Sequence, residues 1–99
     1  ENIGCGEVEA ALLEHPLVQE ASVYAVPDQR LGEEVGTTLF VSSSLTESEL
    51  TGFLEERLAK FKFPRYIHHQ RAPLPRTASG KILKRDLREE ACQRLGLAQ

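Results

Sequence analysis

EASVYAVPDQRLGEEVGTTLFV, Glu20 to Val41, sets two apolar runs on either side of a polar, glycine-containing break. EASVYAVPD reads as a strand: alternation puts Ala21, Val23 and Ala25 on one face, and Pro27-Asp28 stops the run. VGTTLFV, Val35 to Val41, is rich in β-branched and aromatic residues and reads as a second strand. The connection PDQRLGEE contains Gly32 and is too long for a two-residue hairpin turn. Antiparallel pairing of the two neighbours is expected.

Helices flank this pair. Upstream, GEVEAALLEHP carries Val8, Ala11 and Leu12 on one apolar stripe, and Pro16 restricts His15 and ends the segment. Downstream, Thr46-x-x-Glu49 is a capping box, with Leu45 and Leu50 placed for a hydrophobic staple. Leu50, Phe53, Leu54 and Leu58 form that helix's stripe, and Gly52 weakens it by about 1 kcal/mol relative to alanine. Pro64 bounds the next segment, and Arg65 to Gln70 reads as a short strand. A last helix is expected from about Leu83 to Leu95, with Leu83, Leu87, Ala91 and Leu95 on one side and Gly96 as its stop. The order α-β-β-α-β-loop-α predicts an α+β domain. Its small antiparallel or mixed sheet, of about three strands, would have helices covering one face.

Composition bounds what such a domain can do. The chain has 99 residues, 40% of them hydrophobic and 27% charged, ordinary for one small globular domain. No apolar run approaches the roughly 18 residues of a membrane span, and no signal-peptide pattern opens the chain. Cys5 and Cys92 lack CxxC or Cys/His spacing, and read as thiols in a reducing compartment such as the cytoplasm. The net charge of −3 hides an asymmetry: residues 1–56 hold twelve acids and one base, and residues 57–88 hold ten bases and one acid. Either the halves neutralise each other on folding, or the basic half meets an anionic partner.

The chemistry-bearing candidates are few. PLPRTASGKILKR, Pro73 to Arg85, stages one lysine, Lys81, after a run of small residues. It is not a phosphate-binding P-loop: Pro75 stands where the first glycine belongs, and Ile82 replaces the magnesium-binding hydroxyl. A lysine on a glycine turn can still serve as a point charge on phosphate or carboxylate oxygens, or be simply solvated. His68 and His69 are adjacent on a strand and point to opposite faces, so no metal site is expected. The basic run from Lys60 to Arg88 has Phe61, Phe63 and Tyr66 interleaved, raw material for single-stranded nucleic acid, but carries no RNA-recognition signature. Glu33-Glu34 falls on the expected turn, and spacing names no titratable partner for acid–base work.

Four segments in order carry a family resemblance. ENIGCGEVEAAL is similar to a GENI-x-x-x-EVE start, and HPLVQEASVYAVPDQRLGEEV to an HP-x-V-x-EAAVVGVPD-x-x-x-GE segment. FKFPRYI is similar to YK-x-P-x-x-I/V, and LPRTASGKILKRDLRE to LP-[RK]-T-x-[ST]-GK-[IL]-x-[RK]. From Glu1 to about Glu90 the chain closely resembles the C-terminal domain of the adenylate-forming superfamily, which holds acyl-CoA synthetases, peptide-synthetase adenylation domains and luciferases.

The resemblance implies that residues 1–99 are the mobile C-terminal domain of an AMP-forming ligase. A carboxylic acid would attack the α-phosphate of ATP to give an acyl-adenylate and pyrophosphate, and a CoA thiol would then displace AMP. One pose of the domain would present Lys81 to the adenylate. The other would turn Glu1, Asn2, Ile3, Gly32 and Glu33 toward a large N-terminal domain, and Phe61-Lys62-Phe63 toward CoA. Some relatives place a CoA-contacting base just before the turn glycine; here Leu31 stands there, with Arg30 one position earlier. ATP with Mg2+ would be bound mainly by the N-terminal domain, which these residues lack, so the chain alone is expected to be inactive. No nucleic acid or membrane is implied. GENI, EVE and FKFP favour the acyl-CoA synthetase branch. A carrier-protein thiol acceptor, or a free-standing basic interaction module, are the alternatives.

Overall fold

The computed structural model describes residues 4–97. Helix α1 (Cys5–Leu13) leads into the expected hairpin, β1 (Val18–Asp28) and β2 (Gly32–Val41), followed by α2 (Glu47–Leu54), β3 (Tyr66–Gln70) and α3 (Lys84–Leu95). A 3-10 turn at Lys60–Lys62 precedes β3. β1 and β2 pair antiparallel, from Asp28 opposite Gly32 to Val18 opposite Val41. Their loop is three residues, Gln29 to Leu31. The Asp28 carboxylate accepts the Arg30 and Leu31 N–H groups at 2.9 Å each, and Gly32 takes φ +84°. That left-handed value is open to glycine at little cost. Glu33 and Glu34 therefore lie on β2 itself, opposite Pro27 and Val26, not on the turn.

β3 joins the other side of β2 in parallel, with Tyr66 opposite Gly36, so β2 is central in a mixed sheet of order β1-β2-β3. A parallel neighbour needs a long crossover, and α2 supplies it. The capping box forms as expected. Thr46 Oγ1 accepts the Glu49 N–H at 3.1 Å, and Glu49 Oε1 accepts the Thr46 N–H at 3.0 Å. Leu45, Leu50 and Leu54 are buried, and so is Leu58, which lies beyond the helix in the following turn.

Two expectations are corrected. The helices cover both faces of the sheet, not one. Val23, Leu39 and Val41 pack with Val8, Leu12, Leu50 and Leu54 on the α1 and α2 side. Tyr24, Val26 and Leu74 pack with Leu87, Ala91 and Cys92 under α3. Strand β1 is thus buried on both faces from Ala21 to Tyr24. Its polar Ser22, and Thr37 and Thr38 of β2, are buried with it. The threonines bond within the sheet, Thr38 Oγ1 to Tyr24 Oη at 2.7 Å and Thr37 Oγ1 to the Ser22 carbonyl at 2.9 Å. The second correction concerns α3. Its buried side is Leu87, Ala91 and Cys92, whereas Leu83 is the N-cap and Leu95 is 38% exposed. A four-residue spacing drifts about 40° per step around a helix of 3.6 residues per turn, so the stripe winds off the sheet before Leu95. Gly96 ends the helix at φ +71°, as expected. No described helix is long and apolar enough to cross a membrane.

Candidate functional site

The segment after β3 builds a second, smaller hairpin. Arg76 pairs antiparallel with Ile82. The Thr77 N–H donates to the Lys81 carbonyl at 2.7 Å, and the Gly80 N–H donates to the Thr77 carbonyl at 2.9 Å. Gly80 closes the loop at φ +91°, the left-handed residue that three-residue hairpin loops require. Thr77 Oγ1 accepts the Lys81 N–H at 3.1 Å and meets Ser79 Oγ at 3.0 Å. The small residues of TASG thus form a hydrogen-bonded tip, and Lys81 leaves it with its backbone bonded. Leu74 is 3% exposed and roots the hairpin in the core beneath α3.

The hairpin stands beside β1, an edge strand whose outward backbone is capped by side chains. Glu9 Oε2 accepts the Val23 N–H at 2.8 Å, and Arg88 Nε donates to the Ala25 carbonyl at 2.7 Å. Such capping blunts the edge against pairing with another chain. Glu20 of β1 accepts the Leu74 N–H at 2.7 Å and pairs with Arg76. Burial alone would raise the Glu20 pKa. The Arg76 hydrogen bond, the Leu74 N–H and the Arg76 charge outweigh it and hold the carboxyl below its ordinary value. An open cleft of about 540 Å³ runs alongside, bordered by Glu9, Arg76, Lys81, Ile82 and Lys84.

The charge asymmetry resolves inside the fold. Glu7 pairs with Lys62 at 2.5 Å, Glu9 with Lys84 at 2.9 Å, Glu14 with Arg57 at 2.8 Å, and Glu20 with Arg76. Every one of these pairs joins an acid from the first 20 residues to a base between 57 and 84. Each is worth only about 0–1 kcal/mol at the surface, but together they decide which cations remain uncommitted. Arg76 and Lys84, on either side of the hairpin tip, are paired. Lys81 between them is exposed, and no described residue meets its ammonium.

The remaining expected site residues lie elsewhere. Glu1 and Asn2, with Ile3, fall outside the described residues. Gly32 and Glu33 are exposed at the turn end of the large hairpin. The approach to β3 meets β2 nearby, where the Arg65 N–H donates to the Val35 carbonyl at 2.8 Å. Just before it, Phe61 is 78% exposed and Phe63 packs against the α1 and α2 core. The Lys62 ammonium is held by Glu7. Glu20, beside the Lys81 hairpin, is eight residues from Asp28 along β1, about 27 Å at roughly 3.4 Å per residue. The structure therefore separates Lys81 from Gly32 and Glu33. Glu20 and Glu9 were given no role from the sequence, and Arg76 and Lys84 entered only as members of the basic run. Arg76 stood inside a recognised motif, but its acid partner is 56 residues away.

A mixed three-stranded sheet with helices on both faces and a lysine-bearing hairpin at its edge defines a small α+β domain. The chain belongs to the AMP-binding enzyme C-terminal domain family, whose model matches residues 7–81 and so ends on Lys81. It is 40% identical over 89 residues to the 2-succinylbenzoate–CoA ligase of Bacillus cereus, covering 90% of this chain and 18% of that protein. It is 42% identical over 99 residues to the mitochondrial medium-chain acyl-CoA ligase ACSF2 of Mus musculus, covering 98% of this chain and 16% of that protein. Among solved structures it is similar to o-succinylbenzoate CoA synthetase from Bacillus subtilis in complex with the acyl-adenylate intermediate. The TM-score is 0.81 at 40% identity, over 88% of this chain and 18% of the other. The chain thus spans less than a fifth of the length of these relatives.

Proposed function

We propose that this chain is the mobile C-terminal domain of an AMP-forming acid–CoA ligase, and that Lys81 is its catalytic residue for acyl-adenylate formation. The observation that carries the reading is the charge pattern at the hairpin: flanking cations paired, backbone bonded, and one exposed ammonium at the tip. A carboxylate attacking an α-phosphate brings two anions together, and the barrier falls when a cation holds both in line. Lysine suits the task, since a compact ammonium on a four-carbon stem reaches across a domain interface. A unit charge pair at about 4 Å gains about 1 kcal/mol in water and about 4 kcal/mol at an effective dielectric near 20. Lys81 therefore contributes most once an N-terminal domain closes over it and excludes water.

The large N-terminal domain is the partner this reading requires, with a small carboxylic acid, ATP and CoA as substrates. Among the described residues no group of three or more His, Cys, Asp or Glu is arranged to hold a metal. In this reading ATP with Mg2+ is bound mainly by that other domain. In the thioester-forming pose the exposed Phe61 and the Gly32-Glu33 turn face the N-terminal domain and CoA. Lys62 and Phe63 support that surface from behind, through Glu7 and the core. CoA is favoured over a carrier-protein thiol by the CoA-ligase relatives.

The test is acid-dependent exchange of labelled pyrophosphate into ATP by the enzyme that carries this domain. Lys81→Ala should lower it by about 10²- to 10³-fold, the usual loss on removing one preorganised charge-stabilising group. An unchanged exchange rate would refute the role.

A further inference from the structure

The Gly80–Lys81 peptide is held from both sides. Its N–H, on Lys81, donates to Thr77 Oγ1 at 3.1 Å. Its carbonyl, on Gly80, accepts Arg76 Nη1 at 2.6 Å. The second nitrogen of the same guanidinium, Nη2, is taken by Glu20 Oε2. The other Glu20 oxygen holds the Leu74 N–H at 2.7 Å, where the hairpin leaves the core. The Glu20 side chain is only 18% exposed, on a strand buried on both faces. A continuous set of bonds therefore runs from the sheet, through Glu20 and Arg76, to the peptide that sets the direction of Lys81. Gly80 sits in the left-handed region at φ +91°, with no neighbour within 4 Å of where a Cβ would lie.

We propose that Glu20 and Arg76 are positioning residues for Lys81, a two-link brace that fixes the Gly80–Lys81 peptide plane while leaving the lysine stem free. The inference rests on the proposed role of Lys81. Arginine is the side chain the brace needs: its planar fork donates in two directions at once, to a carboxylate and to a carbonyl. A lysine at 76 keeps the charge and can keep the pair with Glu20, but an ammonium cannot reproduce the fork. Misplacing a reacting group by about 1 Å can cost about 10² in rate, so loss of the brace acts on catalysis without touching a substrate.

The experiment is Arg76→Lys, Lys81→Ala and their double variant in the full-length enzyme, assayed for each half-reaction. Arg76→Lys should lower kcat for adenylation by about tenfold to a hundredfold, with KM for ATP and for the acid within about twofold. Conversion of pre-made acyl-adenylate to thioester should hold within about twofold. The double variant should be no slower than Lys81→Ala, because Arg76 acts only through Lys81. A charge-only or purely structural role gives a different pattern: rescue by lysine at 76, or losses that multiply in the double variant. Either result overturns the brace. So does wild-type kcat in Arg76→Lys alongside an inactive Lys81→Ala, an outcome that leaves the role of Lys81 standing. An active Lys81→Ala overturns both. Glu20→Gln, nearly isosteric, decides the matter if the Arg76 variants do not fold: the same loss confined to adenylation is expected, and a wild-type kcat refutes the brace.

Discussion

Gly36→Ala should destabilise the domain by about 1–2 kcal/mol, although glycine inside a strand is ordinarily a weakness. A Cβ at Gly36 would lie 2.9 Å from Tyr24 Cε1, 3.3 Å from Cδ1 and 3.4 Å from Val26 Cγ1. Gly36 sits directly opposite Tyr24 across the β1–β2 ladder, and the ring lies over its backbone. The ring has little room to yield. Tyr24 is 3% exposed, its hydroxyl is bonded to Thr38 at 2.7 Å, and it packs with Val26, Leu74 and Leu87 under α3. Overpacking a filled site costs about 1–3 kcal/mol. Loss of glycine's unfolded-state entropy returns about 0.4–1 kcal/mol; at mid-range, about 2 against about 0.7 kcal/mol leaves a net penalty of about 1.3 kcal/mol. Urea unfolding of the domain should show a lower midpoint with an unchanged slope. In a Tyr24→Leu background the penalty should shrink or change sign, since the clashing ring is gone. A Gly36→Ala domain as stable as wild type, or a penalty independent of Tyr24, would refute the close-packing argument. The matter bears on function, because Tyr24 and Leu74 share the core that roots the lysine hairpin.

Two further outcomes follow from the same contacts. Gly52→Ala should stabilise the domain by about 0.5–1 kcal/mol in the same urea assay, because Gly52 is exposed on α2 with nothing within 4 Å of an added Cβ. Glu20 has a folded-state pKa below its unfolded one, so its contribution is present above the ordinary carboxylate pKa and is lost as pH falls through the depressed value. Glu20→Gln should therefore flatten the fall in stability across the acid limb, and an unchanged slope there would contradict the Glu20–Arg76–Leu74 geometry.

The large hairpin and α2 were legible because their signals are local: β-branched runs around a glycine turn, and a capping box four residues long. The parallel placement of β3 was not legible, since Tyr66 to Gln70 carries no mark of its partner strand. Burial of β1 and β2 on both faces was hidden by the polar Ser22 of β1 and Thr37 and Thr38 of β2, whose hydroxyls read as solvent-facing until the sheet places them inside. Within the candidate site, the lysine could be picked out because its motif is contiguous. Its brace could not, because Glu20 meets Arg76 only when an edge strand and a hairpin 56 residues later are folded together. The neutralisation of the two charge halves was one of two readings from composition. Ion pairs joining residues 7–20 to 57–84 favour it.

The most direct measurement is the second half-reaction in the Lys81→Ala enzyme: acyl-adenylate, made separately, is supplied with CoA and thioester formation is timed. If Lys81 serves the adenylate-forming pose alone, this rate stays within about threefold of wild type while adenylation by the same preparation falls at least about a hundredfold. Equal loss in both half-reactions would contradict a role for Lys81 confined to one pose.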